Sequence, residues 1–497
     1  MRNKHFIILF LSFLMPGSVF AQLRLNSMAE YQLGNIPGLE PKNQSSLYNQ
    51  INLTYKYKNL SLFSRVEQFY PRIDGEDKNY TELSQYKVQY SSEKLTLEAG
   101  NIYTTLGRGL LLRNYEIPSS IYESRGYRIR YGFYKDLQGI SVKYRSKYFG
   151  IKLLRGKVLS VELPPTIPEN DRRADNVEAG ELDFRLKNHT IGLILMSHNL
   201  TSTINNYNSV YYNGKIKSFN LYAELAQQAD SIENMLNFSA GESYGAYAAL
   251  SYAGSKTGFT FELKDYQNFI LGRGINDPPT LIKEHSSRLL NRSTHVPLIN
   301  DEIGYQAEFW YVFPNLNMLT VNHSFAQNST TNSKYNYIEF YADFLLNIFS
   351  DHQLRFLADY TEDPLKREPN RYTAGILLDL YHNKYTSTFD IETQYVLSES
   401  GSINSKFFNH LFSYTLSKSG SFSITGFIET TADPNFIENS EKNINIYPSV
   451  SISHEIDKHN KAQLFVGKRR GGPSCTSGVC YDVLDFQGFE MRLTTRF

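Results

Sequence analysis

The chain has 497 residues, with 51 Lys and Arg against 50 Asp and Glu, for a formal net charge of +1. That balance excludes the basic footprint of a nucleic-acid-binding protein, and only two cysteines exclude a disulfide-dense scaffold. Aromatic residues make up 14%, with 37 Tyr and 32 Phe; tyrosine suits a membrane–water boundary because its ring is apolar and its hydroxyl wet.

In chain order, Arg2 and Lys4 precede an apolar run from Phe6 to Met15 broken only by Ser12. Pro16, Gly17 and the small-residue pattern Val19-Phe20-Ala21 follow. This predicts a secretory signal cleaved after Ala21. Gln22 stands where a lipoprotein would need cysteine, so no lipid anchor is expected. The remaining 476 residues (497 − 21) would usually mean several soluble domains, yet no linker, charge block or change of texture divides them. No later run approaches the roughly 20 apolar residues of a transmembrane helix; Thr190–Ser197 is far too short.

The periodicity is that of strands. Ile51 to Lys58 alternates apolar and polar without a break, as do Phe259 to Lys264 and Phe389-Asp390-Ile391-Glu392. Phe219 to Leu225 nearly does. A side-chain period of two puts one row on each face. In a sandwich the apolar row faces a protein core; in a membrane barrel it faces lipid and the polar row lines the lumen. The last residues place Phe489, Met491, Leu493 and Phe497 on one face, with Glu490, Arg492 and Arg496 on the other. This resembles the C-terminal signal strand by which insertion machinery recognises outer-membrane barrels.

The expectation is therefore an all-β protein: a single large antiparallel transmembrane β-barrel over residues 22–497, with about 22 to 26 strands. A closed barrel is the one β structure that satisfies every backbone group in lipid. Its expected location is the outer membrane of a diderm bacterium, and its expected partners are outer-membrane lipid and the barrel-insertion machinery. Predicted strands run from Leu47–Tyr57 to Gly488–Phe497, with Lys58-Asn59, Ser91-Ser92-Glu93 and Asn383-Lys384 as short periplasmic turns. The stretch from Tyr127 to Lys157 resists this scheme. Three apparent strands there, Tyr127–Phe133, Ile140–Tyr144 and Phe149–Leu154, would force one turn outward.

Four segments break the strand rhythm. The first, Gly100 to Glu116, carries Gly107 and Gly109, but no Lys-Ser/Thr pair or βαβ context makes it a phosphate loop. Strand glycines usually mark a bend or close backbone approach; the functional version is an infolded constriction with Arg108, Arg113 and Glu116 in the lumen. The second, Pro164–Asn176, mixes charges and reads as an ordinary exposed loop.

The third, residues 268–303, is long enough to be a plug or lid. Its candidate residues are Asp277, Pro278, Pro279, Glu284, His285, Asn291, Arg292 and His295. Asp277 and Pro278 look like an N-cap and first helical residue, with Leu281, Ile282, His285 and Leu289 on one helix face. Glu284, His285 and His295 match no standard metal spacing, so a structural segment is preferred and no metal or other cofactor is assigned. The fourth, Lys468 to Cys480, is an expected extracellular loop. Cys475 and Cys480 suit a local disulfide in an oxidising compartment, and Lys468-Arg469-Arg470 reads as solvated charge or as a contact for an acidic partner.

No Gly-x-Ser-x-Gly, His-Glu-x-x-His or calcium loop occurs, so no catalytic residue is assigned and an enzyme is not expected. The glycine segment 100–116, residues 276–297, Asp301-Glu302-Ile303-Gly304-Tyr305-Gln306 and the ending from Arg469-Arg470-Gly471-Gly472 to Phe497 together resemble one family. It comprises uncharacterised outer-membrane proteins of the Bacteroidetes group, classed as a domain of unknown function. The resemblance implies location and fold, and no activity. Two roles stand open: a structural or assembly component docking outer-membrane lipoproteins or secretion machinery, and a passive or plugged channel for small polar solutes. The first is slightly favoured, because no energy-coupling domain precedes the first strand and no single-sign charge suggests an ion-selective porin. A filled lumen would support it; a clear aqueous path would support transport.

Overall fold

The structure, a computed structural model, describes residues 21–497 apart from 41, 73–77, 201–202, 235, 239–242, 273, 296–300, 330–332, 350, 401–402, 435–442 and 477–478. The signal region 1–20 thus lies outside the described residues. Twenty-four strands form one antiparallel sheet. The first, Ala21–Asn35, pairs on one side with Gln44–Tyr57 and on the other with Phe486–Arg496, which closes the sheet on itself. Closure removes both edges, so every wall strand finds partners on either side.

Alternation sets the two faces of the wall. Ile391 is 50% exposed on the outside while its neighbour Glu392 is 2% exposed within. Every wall strand except Tyr244–Ala253 carries at least one exposed large apolar side chain. The outer surface is therefore an apolar belt, and the inner surface is largely polar. Two grooves, about 790 and 770 Å³, lie along the wall strands and are bordered by such side chains as Phe261, Phe309, Val321, Leu225, Leu263 and Ile303.

The two ends differ. One end has short turns, among them 58–59, 187–188, 217–218 and 383–384. Two-residue hairpins of this kind favour φ above zero, and Lys58, Lys187, Lys217 and Asn383 have φ of 50°, 52°, 55° and 56°. All four rhythm-breaking segments emerge at the other end.

The difficult register near residue 130 is resolved there. Leu95–Ile102 pairs directly with Leu137–Arg145 in the wall, so residues 103–136 are excluded from it. The expected wall strand Tyr127–Phe133 is not part of the wall: Ile129–Lys135 forms a separate hairpin with Tyr115–Ser124 inside the barrel. Two wall strands fill the count in its place: Ala21–Asn35 and Thr203–Ile216.

Candidate functional site

The site is the lumen at the long-loop end, where the chain folds back into its own barrel. Residues 103–136 enter first. Thr105–Leu106 pairs with Leu112–Arg113 in a tight hairpin, and Leu106, Leu110, Leu111 and Leu112 are fully buried. They pack with Phe269, Leu271, Ile275 and Leu281 of the later segment against wall residues Leu137, Leu154, Val177, Ile194 and Tyr207. Ile129 and Tyr131 make a second, smaller core with Met28, Tyr48, Phe69 and Tyr80 of the opposite wall.

The glycines have two uses here. Gly100 lies in the wall at φ +109°, where a Cβ would sit 2.1 Å from the Tyr86 carbonyl oxygen; this is the close approach expected of it. Gly107 turns the infolded hairpin at φ +54°, and a Cβ there would meet the Glu224 carboxylate at 2.4 Å. That carboxylate accepts from the Arg108 backbone N–H at 2.8 Å, the Ser209 hydroxyl at 3.0 Å and the Tyr222 hydroxyl at 2.5 Å. The segment both bends at these glycines and folds inside the barrel. Arg108 lies over the Tyr222 ring at 4.9 Å, Arg113 pairs with Asp277 at 3.1 Å and Glu116 with Arg65 at 2.6 Å.

Two further expectations are corrected. Residues 164–176 are no exposed loop throughout: Arg172 and Arg173 are 7% and 4% exposed. They reach the carboxylates of Glu82 in the wall at 2.8 Å and of Asp136 in the infolded segment at 2.7 Å. Arg469 and Arg470 are likewise turned inward, 3.5 Å from Glu490 and 3.6 Å from Glu429, so this triplet is not simply solvated. A mixed or basic run looks like surface in sequence because its partners lie on distant strands.

Residues 268–295 cross the lumen, and the next wall strand begins at Asp301 rather than after residue 303; residues 296–300 lie outside the described residues. The expected helix from Asp277 does not form. Pro279 disfavours helical backbone at Pro278, and Leu281 takes φ 55°. Instead Asp277 donates its backbone N–H to Gly109, Pro278 is buried, and the Pro279 carbonyl accepts from the Tyr266 hydroxyl at 2.9 Å. One helical turn appears later, Arg288–Arg292, with Ser287 as its cap.

From residue 282 the segment becomes an arm lying over wall strands 301–431, held by polar contacts. Lys283 pairs with Glu308. His285 Nε2 is 2.9 Å from Glu339. The buried Glu392 carboxylate accepts the backbone N–H groups of Arg288 at 3.0 Å and Leu289 at 2.8 Å. Arg292 pairs with Glu429, and His295 Nδ1 is 3.2 Å from Asp363. Lys366 donates to the carbonyls of Ser293, at 3.0 Å, and Thr294. Asn291 lines a cavity of about 390 Å³ beside Arg288, Arg292 and Arg470, whereas Glu284 is exposed. Apart from Lys366, the wall contributes carboxylates to these contacts and the arm contributes cations and N–H groups. Sequence reasoning named the arm but not its wall partners; their one signal was position on the inward row of alternating strands.

Burial opposes the charge on His295, but Asp363 and Glu302 override it and raise its pKa. Burial with Arg288 and Arg470 alongside pushes Arg292 down to about 9. Elsewhere, Gly472–Thr476 and Val479–Val483 form a hairpin that sets Cys475 opposite Cys480 in register; their side chains lie outside the described residues. On the final strand Met491 and Leu493 face outward, Phe489 is half-buried and Phe497 is exposed at the short-turn end.

A closed barrel with an apolar belt, into whose lumen its own connections fold, has the architecture of a membrane β-barrel. The chain belongs to a family of unknown function, DUF6029, whose model matches residues 1–497. No protein of curated function matches it. Among solved structures it is similar to the E. coli P pilus tip assembly intermediate PapC-PapD-PapK-PapG, at 11% identity and TM-score 0.52, covering 97% of this chain and 62% of that one. The translocation pore of the P pilus usher PapC is 12% identical, TM-score 0.46, over 96% and 99% of the two chains. The outer membrane protein OpdK of Pseudomonas aeruginosa is 13% identical, TM-score 0.39, over 75% and 98%. At these identities the likeness shows the fold alone.

Proposed function

We propose that this is an outer-membrane barrel protein whose resting lumen is stoppered by its own infolded segments, and that the arm 282–295 is the movable part of the stopper. The protein is then a plugged channel for small polar solutes. One observation carries this reading: the two halves of the plug are held differently. Residues 106–112 and 269–281 share a buried apolar core with the wall. The arm rests on charged and backbone hydrogen bonds. Apolar cores lose stability steeply when opened. Charge pairs in a polar lumen exchange for water at much smaller net cost, because their desolvation offsets much of their attraction. An arm seated this way separates from the wall before the core does.

The apolar belt supports membrane insertion, since lipid would cover it, and export behind the signal cleaved after Ala21 belongs to the same proposal. A second reading, a sealed structural or assembly-associated component, is favoured by the leucine core that fixes the first half of the plug. Swelling of proteoliposomes in isosmotic small sugars tests between them. The channel reading expects slow swelling with the intact protein and faster swelling when Glu392→Ala and Glu429→Ala are combined. Equal, negligible swelling from both would overturn it and leave the structural component.

A further inference from the structure

One group of side chains between arm and wall is left unfinished. His285 of the arm meets Glu339 and Asp359 of the wall. Asp359 pairs across neighbouring strands with Tyr341, two residues from Glu339, so the carboxylates share an inward row. One donor atom from each of the three lies within 4.8 Å of the others. The residues are 6%, 2% and 5% exposed. His285 Nε2 lies 2.9 Å from one Glu339 oxygen, and Thr361 donates to one Asp359 oxygen at 2.9 Å. Among the described residues, Glu339 Oε2, Asp359 Oδ2 and His285 Nδ1 have no hydrogen-bond partner. Buried polar atoms are rarely left so, and a buried anionic oxygen least of all.

The surrounding carboxylates are better provided. Glu302 has Lys264 and Asp363 has His295. Glu368 has Arg371 at 2.8 Å. Arg371 also lies near Glu339 and Asp359, but its charge is already shared with Glu368. Among the described residues, the cationic partners of Glu339 and Asp359 are His285 and an Arg371 that they share with Glu368.

We propose that His285, Glu339 and Asp359 bind a divalent transition-metal ion of the zinc class, the arm supplying a nitrogen and the wall two oxygens. Imidazole and carboxylate suit such an ion, with metal–donor distances of about 2.0–2.2 Å. Those distances place tetrahedral donors about 3.4 Å apart, so side-chain rotations need to close the group by about an ångström. A dication, two carboxylates and a neutral imidazole sum to zero charge, which resolves the deficit. Water completes the coordination. The ion would tie the arm to two wall strands and act as its latch; its binding does not depend on the channel reading.

Metal content of the detergent-folded protein tests this directly. After loading with Zn²⁺ and gel filtration, elemental analysis is expected to find about one ion per chain. Co²⁺ loading should give the visible absorption of a four- or five-coordinate site. His285→Ala and the milder Glu339→Gln should each lower retention at least tenfold, while His295→Ala keeps it; heat-modifiable gel mobility reports whether each barrel is folded. Wild-type protein that retains no ion, or folded His285→Ala and Glu339→Gln variants that retain as much as wild type, would overturn the proposal.

Discussion

Glu392→Ala is the sharpest test of how the arm is seated. The Glu392 carboxylate accepts two backbone N–H groups, from Arg288 at 3.0 Å and Leu289 at 2.8 Å. It is the only wall contact of that helical turn's first N–H groups among the described residues. Hydrogen bonds to a charged group are worth about 1.5–3 kcal/mol each. Truncation therefore removes about 3 kcal/mol or more, and leaves the buried Leu289 N–H unsatisfied. At about 1.4 kcal/mol per tenfold change, the open arm becomes roughly a hundredfold more populated. Hydrogen exchange read by mass spectrometry reports this opening as a similar acceleration of amides in 282–295. Amides of 106–112, seated on the leucine core, should keep their rates. Unchanged exchange in the arm would refute the claim that Glu392 seats it. Equal acceleration of both segments would refute the claim that the two halves of the plug open separately.

The arm should also respond to pH. The raised His295 pKa means that the pairing with Asp363 is fully present below the ordinary histidine value of about 6.5, and is lost as pH rises through the folded-state value. Arm exchange should quicken beyond its intrinsic rate as pH rises above about 6.5, and His295→Gln should remove that extra component; a variant with the same pH response contradicts the assignment. Phe269→Ala empties a fully buried ring from the plug core, at a cost of about 3–5 kcal/mol. It should accelerate exchange in 106–112 and 269–281 while the wall stays protected, and a uniform effect on the wall would show that plug and barrel unfold as one. Cys475 and Cys480 should resist alkylation until reduced, since their backbones stand opposite one another; two thiols that react without reductant would exclude the disulfide.

Much of the barrel is legible because its signal is local. The inward–outward alternation of Phe389-Asp390-Ile391-Glu392 is a property of one strand, and it survives intact in the wall. Thr203–Ile216 escapes notice because asparagine and tyrosine crowd both of its rows. Tyr127–Phe133 reads as wall because a hairpin inside the lumen has the same period as one outside. The plug is legible as an interruption, but its partners are not. Arg172 looks like surface charge until strand pairing brings Glu82 within 2.8 Å of it, and nothing near His285 in sequence points to Glu339 or Asp359. The failed helix at Pro278 has a local cause that a second proline already announces.

The central claim is that the arm closes a conducting lumen. The direct measurement is single-channel conductance in a planar bilayer, comparing the intact protein with a variant whose residues 282–295 are replaced by a glycine–serine segment of equal length. Little or no steady conductance is expected from the intact protein and large, sustained conductance from the variant. A folded variant that stays as silent as the intact protein would contradict it.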